Sequence, residues 1–143
     1  MARPKRIDLP FSLYHVLSGT NKRDKAFRDS RDENTFLSFV EKYSNIFSLR
    51  IHAWCLMPTF FHLLLETTDR PSLSEFMRRL LTAYTMYFNR RHKRNGYLLQ
   101  GRFKSYIVDK TNYLLDLSRY IHLIPVETKI TRWFARPPDF WQF

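Results

Sequence analysis

Met57-Pro58-Thr59-Phe60-Phe61-His62-Leu63-Leu64-Leu65-Glu66 reads as a tight connection followed by a β-strand. In an extended chain successive side chains point to opposite faces. Phe60, His62, Leu64 and Glu66 therefore share one face, and Phe61, Leu63 and Leu65 the other. Just upstream, Ser48 to Leu56 reads as a second strand with Leu49, Ile51, Ala53 and Cys55 on one face. The short connection at Met57-Pro58-Thr59 makes these two strands antiparallel neighbours.

Further out, the same reading continues in both directions. Phe11 to Leu17 alternates apolar and polar residues and is predicted as a first strand, followed by a polar, charged connection from Ser18 to Arg31. Asp32 can cap a helix carrying Phe36, Leu37, Val40 and Phe47 at near-helical spacing. Downstream, Ser72 or Ser74 can cap a helix running to about Arg91, whose stripe is Phe76, Leu80, Tyr84 and Phe88. Arg102 to Val108 is predicted as a fourth strand, with Arg102 and Lys104 on one face. Thr111 or Asn112 opens a last helix through about Leu123, and Pro125 is expected to end it. The segment from Trp133 to Phe143, rich in aromatics and proline, is expected to be an irregular docked tail.

The order strand, helix, strand, strand, helix, strand, helix predicts an α+β fold. Its plan is the ferredoxin-like split βαβ (βαββαβ) with an added C-terminal helix carrying Tyr120. One domain over residues 1–143 is expected, with the aromatic tail from about 126 to 143. Such a plan hosts many functions and does not choose among them.

Charge and composition narrow the choice. Lys plus Arg number 24 against 13 Asp plus Glu, a net charge of +11, which points to a polyanionic partner. Aromatic residues make up 17% of the chain, and rings that stack on bases turn that pointer towards nucleic acid. Cys55 is the only cysteine, so an internal disulfide and a thiolate cluster are excluded. Three glycines leave no Gly-rich phosphate loop. No apolar run reaches the ~20 residues of a membrane helix, and no apolar segment follows the basic Met1 to Arg6. No membrane partner and a cytoplasmic location are expected. Arg90-Arg91-His92-Lys93-Arg94 offers five successive donors at a helix end, more than a helix dipole needs.

Three segments carry a family resemblance. They are His52-Ala53-Trp54-Cys55-Leu56-Met57-Pro58 leading into the Phe60 strand, Leu99-Gln100-Gly101-Arg102-Phe103-Lys104-Ser105, and Ser118-Arg119-Tyr120-Ile121-His122-Leu123-Ile124-Pro125-Val126. With them, nearly the whole chain resembles the HUH single-tyrosine transposases, and within these the REP-associated tyrosine transposases. The resemblance implies cleavage and rejoining of single-stranded DNA in transposition, through a 5′-phosphotyrosine link. A Mg²⁺ or Mn²⁺ ion polarises the scissile phosphate, held by two strand histidines and a polar residue four positions after the tyrosine. Single-stranded DNA with hairpins is the implied partner, and a homodimer is compatible with the resemblance.

Carried over, the nucleophile position is Tyr120 and the second histidine is His62. The first histidine position holds Phe60, and the polar position four after the tyrosine holds Ile124. The family usually has Asn where this chain has Thr59, and Asn-Pro where it has Ile124-Pro125. Two of three metal-ligand positions are thus apolar, whereas hard cations want several oxygen or nitrogen ligands. The expectation is a DNA-binding member with impaired or lost nicking and a weak or absent metal. Phosphate contacts are expected from Arg78, Arg79, Arg90, Arg91, Lys93, Arg102, Lys104 and Arg119. Glu66, Asp116, His122 and His52 are the residues from which a metal site could be rebuilt. An active enzyme using such a site is one alternative, and an RNA-binding or interaction module is another. Plain structural roles also stand beside these: His62 as a sheet histidine, Tyr120 as a packed helix residue, Arg102 and Lys104 as a solvated strand edge.

Overall fold

A computed structural model describes residues 8–21, 24–100 and 102–127; for 110–113 and 124–127 it describes only the backbone course. The described residues form β1 (Leu13–Gly19), α1 (Ser30–Ile46), β2 (Arg50–Leu56), β3 (Phe60–Glu66), α2 (Leu73–His92), β4 (Lys104–Val108) and α3 (Lys110–Glu127). The four strands make one sheet in the order β2-β3-β1-β4. Every neighbouring pair is antiparallel. This is the α+β plan expected from the order of elements, with α3 added after β4.

β3 begins and ends where its alternation indicated, and it lies inside the sheet between β1 and β2. Its partners give the two faces their membership. Phe61, Leu63 and Leu65 are fully buried on one face, where the Phe36 ring of α1 meets Phe61 at 4.9 Å. The predicted stripe of α2 packs in the same layer: Phe76, Leu80, Tyr84 and Phe88 are all buried, and Tyr84 meets Phe36 at 5.2 Å. Burial of a large apolar side chain contributes about 1.5–3 kcal/mol, so this aromatic layer dominates the core.

The other face is divided. Ala53, Cys55 and Leu64 are buried there, and α3 packs against β2. Fully buried Ile121 marks the inward line of α3, with Ser118 one turn earlier. Over β1 and β4 no described element covers this face.

Several boundaries differ from expectation. The cap of α1 is Asp29, whose carboxylate accepts from the Asp32 amide at 3.1 Å; Asp32 is already inside the first turn and buried. Ser72 occupies the first cap position of α2, but its hydroxyl donates to the Phe47 carbonyl at 2.9 Å instead of capping. α3 continues through Pro125 to Glu127. There Pro125 has no N–H to bond the Ile121 carbonyl, and a proline ring crowds the carbonyl four residues back. β1 and β4 each start two residues later than their alternation suggested.

The largest correction is in β2. Ile51 pairs with Leu65 and Ala53 with Leu64, so His52 is an extra residue in the ladder. This bulge puts Ile51 in the helix layer and Ala53 on the opposite face. Leu49, Ile51, Ala53 and Cys55 therefore do not form one face, because alternation fails across an inserted residue. No helix among the described residues is long and apolar enough to cross a membrane. The aromatic tail from residue 128 onward lies outside the described residues.

Candidate functional site

The open half-face is read row by row from the strand register. One row is Lys104, Leu17, His62 and Cys55; the next is Tyr106, His15, Leu64 and Ala53. Phe60 stands opposite Gly19 at the end of the sheet. A side chain on Gly19 would bring its Cβ to 2.8 Å from the Thr59 carbonyl oxygen and 3.1 Å from the Phe60 Cβ. Glycine at this position thus lets the β2–β3 connection close down on β1.

Phe60 and His62 share a face as the alternation required, with their rings edge to face at 5.4 Å. The unforeseen member of the site is His15. Its Nε2 lies 2.8 Å from the His62 Nδ1, so one ring donates an N–H to the other. The centroids are 5.0 Å apart and the planes differ by 24°. That separation is near the largest this bond length allows, so the two nitrogens face each other head-on. Burial, reinforced by the neighbouring His15, holds the His62 imidazole down at about 4. Burial also lowers His15. Both rings are therefore neutral around pH 7. Strand alternation could show that His15 points to one face of β1, but not that this face meets His62.

Beside His62 the surface dips into a hollow of about 540 Å³ bounded by Leu17, Gly19, Phe60, Arg102 and Lys104. Gln100 and Arg102 also border a second hollow of about 450 Å³ under the fully exposed Tyr97 ring. The expected cations Arg102 and Lys104 are thus brought to the site.

The basic run at the end of α2 is split by the helical turn. Arg91 donates to both oxygens of Asp29, at 2.6 and 2.7 Å, and to Asp32 at 2.7 Å. His92 meets Asp32 at 2.9 Å, and Arg94 bonds Asn89 at 2.7 Å. Arg90 and Lys93 remain exposed. As an expected phosphate contact Arg91 is corrected to a clamp between α1 and α2, because two carboxylates already take its donors. Arg91 holds the Asp29 carboxyl well below the usual carboxylate range. Burial pushes Asp32 up, but the Arg28 amide with Arg91, Tyr87 and His92 outweighs it and lowers that carboxyl too. Arg78 pairs with Glu75 at 2.7 Å on an exposed turn beside Arg79. Arg79 and Arg90 are eleven residues apart on α2, or about 16 Å at 1.5 Å per residue, so they form two separate patches.

Tyr120 is 48% exposed on the flank of α3, next to buried Ile121, and Arg119 beside it is exposed. Tyr120 is therefore not a packed core residue. Ile124 lies on α3, and its side chain is outside the described set.

Among the described residues, the donors around His62 do not make up a hard-cation site. Phe60 offers no ligand, and His15 engages the Nδ1 of His62. Glu66 is turned to His52 at 2.8 Å, at the far end of β3. Among the described residues no three His, Cys, Asp or Glu side chains gather where they could hold a metal ion.

Comparison with known proteins places this geometry. A solved REP-associated tyrosine transposase bound to a REP hairpin has the same fold, with a TM-score of 0.78 and 16% identity over 94% of this chain and 82% of that one. A chain from Deinococcus radiodurans R1, described as a transposase, is similar at a TM-score of 0.57 and 18% identity, over 84% of this chain and 95% of that one. At such identities the likeness speaks for the fold alone. No curated protein matches the sequence. The family model described as "Transposase IS200 like" matches residues 11–123, and the chain belongs to that family.

Proposed function

We propose that this IS200-like transposase binds hairpin-bearing single-stranded DNA on the open half of its sheet, and that its metal-dependent nicking is impaired or lost. What carries the proposal is the row Lys104, Leu17, His62, flanked by Arg102 and Phe60. It sets cations where DNA would lie and an apolar ring where a ligand would be. The hairpin held by the similar REP-associated structure makes a hairpin the first substrate to try. Arg90, Lys93, Arg102, Lys104 and Arg119 are exposed and make the phosphate contacts.

Hairpin affinity measured across a salt series tests this. Each phosphate contact contributes about −0.7 to −0.9 to the slope of log K against log salt. Five contacts give a slope of about −4, or a loss of about 200-fold between 50 and 200 mM salt. A flat salt response, or equal binding to a hairpin-free duplex, would refute it.

One observation favours a second reading, in which Tyr120 still cleaves DNA: its hydroxyl-bearing ring is exposed. A covalent protein–oligonucleotide adduct in Mn²⁺, absent in Tyr120→Phe, would establish it.

A further inference from the structure

We propose that the hollow beside His62 is an anion site that takes one DNA backbone phosphodiester without a metal ion, with His15 as the positioning residue that makes His62 a hydrogen-bond donor there. This rests on the DNA-binding reading above.

The lining decides the sign of the ligand. Arg102 and Lys104 border the hollow with Gln100 and Thr20, and among the described residues no carboxylate does. A divalent cation would meet two like charges and a single imidazole. A phosphodiester would meet two cations and uncharged donors.

Spacing fits as well. Lys104 and His62 are separated by one strand, with Leu17 between them. At about 4.8 Å per strand their backbones are ~10 Å apart. A phosphate group over Leu17 can be reached from one side by the flexible lysine and from the other by the imidazole. Phe60 lines the hollow and sets its ring edge to face with His62.

The His15 contact then acquires a purpose. Only one proton lies between His15 Nε2 and His62 Nδ1. If His15 donates it, the remaining proton of neutral His62 sits on Nε2, and His62 offers an N–H to a ligand. If His62 donates it, Nε2 carries a lone pair and is suited to a metal. Beside Arg102 and Lys104 an anion is the ligand to be met, so the first arrangement is the one in use. The same nitrogen would serve a metal in one tautomer and a phosphate in the other.

The test uses the full chain with ¹⁵N-labelled histidine. Long-range ¹H–¹⁵N spectra should show His62 protonated on Nε2, with its signal shifting on titration with inorganic phosphate and not broadening with Mn²⁺. Hairpin affinity should agree within about twofold between EDTA and Mn²⁺. Lys104→Ala should reduce the salt slope by about 0.7–0.9. His15→Gln keeps an N–H donor for His62 and should retain affinity, whereas His15→Phe should lose the Nε2–H signature and weaken binding. His62 protonated on Nδ1, selective Mn²⁺ broadening, or affinity abolished by EDTA would overturn the inference while leaving DNA binding in place. Absence of hairpin binding in both buffers would remove the DNA reading itself. The anion site would then be decided by the phosphate titration, and unmoved His62 and Lys104 signals would end it.

Discussion

Replacing Asp32 by Asn should be among the most damaging single changes away from the open face. The Asp32 carboxylate is completely buried and accepts four donors. Oδ1 takes the Arg91 guanidinium at 2.7 Å and the Tyr87 hydroxyl at 2.9 Å; Oδ2 takes the Arg28 amide at 3.0 Å and His92 at 2.9 Å. Asparagine keeps the shape but turns one oxygen into an NH₂ group. Whichever oxygen is lost, one fixed donor, the Arg91 guanidinium or the Arg28 amide, then faces a donor, and Arg91 loses one of its two anions. A stranded buried donor costs about 1–3 kcal/mol, and breaking a buried ion pair from one side costs about 3–5 kcal/mol. We expect about 3–5 kcal/mol and, for a chain of this size, a fall in Tm of roughly 10–20 °C. Urea and thermal unfolding followed by circular dichroism would measure it. The acid limb gives a second readout. The folded-state values of Asp29 and Asp32 are depressed, so their stabilisation is complete above the ordinary carboxylate range and is lost as pH falls below about 4. Asp32→Asn should flatten part of that limb. A loss below about 1 kcal/mol with an unchanged acid limb would show that the network is decorative and that apolar packing alone joins α1 to α2.

Gly19→Ala pushes a Cβ to 2.8 Å from the Thr59 carbonyl, which the Thr20 amide holds at 2.8 Å. It should cost about 1–3 kcal/mol in a urea titration and weaken hairpin binding by opening the hollow; an unchanged midpoint would mean that the connection yields freely. Cys55 is fully buried, and burial pushes its thiol up to about 12. Iodoacetamide at pH 8 should leave it unmodified in the native chain and alkylate it in urea, as read by mass spectrometry, with rapid native labelling as the contrary result. Tyr120→Phe removes one hydroxyl from a half-exposed ring and should change stability by less than about 0.5 kcal/mol. Hairpin affinity should also hold, and a large loss of either would mean that Tyr120 is structural.

What the sequence made legible was periodic. β3 and the Phe76–Phe88 stripe of α2 follow from side-chain spacing alone, because each has a regular backbone without an inserted residue. What stayed hidden depends on partners far along the chain. His15 is 47 residues from His62, and only the β1–β3 register brings them together. The fate of the basic run at Arg90–Arg94 also needed the third dimension. Helical rotation turned Arg91 and His92 onto the acids of α1, while Arg90 and Lys93 kept to solvent. Asp32 was visible as a helix-start residue, but its role as a buried acceptor follows from where α2 crosses α1.

The bulge at His52 bears on how relatives of this chain can vary. The extra residue shifts the frame of β2, so that Ile51 answers to one layer and Ala53 to the other. Losing that single residue would return the ladder to strict alternation while leaving Ile51 opposite Leu65 and Ala53 opposite Leu64, each on its present face. A relative lacking it should therefore keep the polarity seen at Arg50 and Ile51 and place the counterparts of Ile51 and Ala53 next to each other in sequence. It should also lack the His52–Glu66 contact. In this strand one residue can be lost without changing which layer its neighbours face, which makes the spacing between Leu49 and Ala53 a lineage marker independent of any residue at the site.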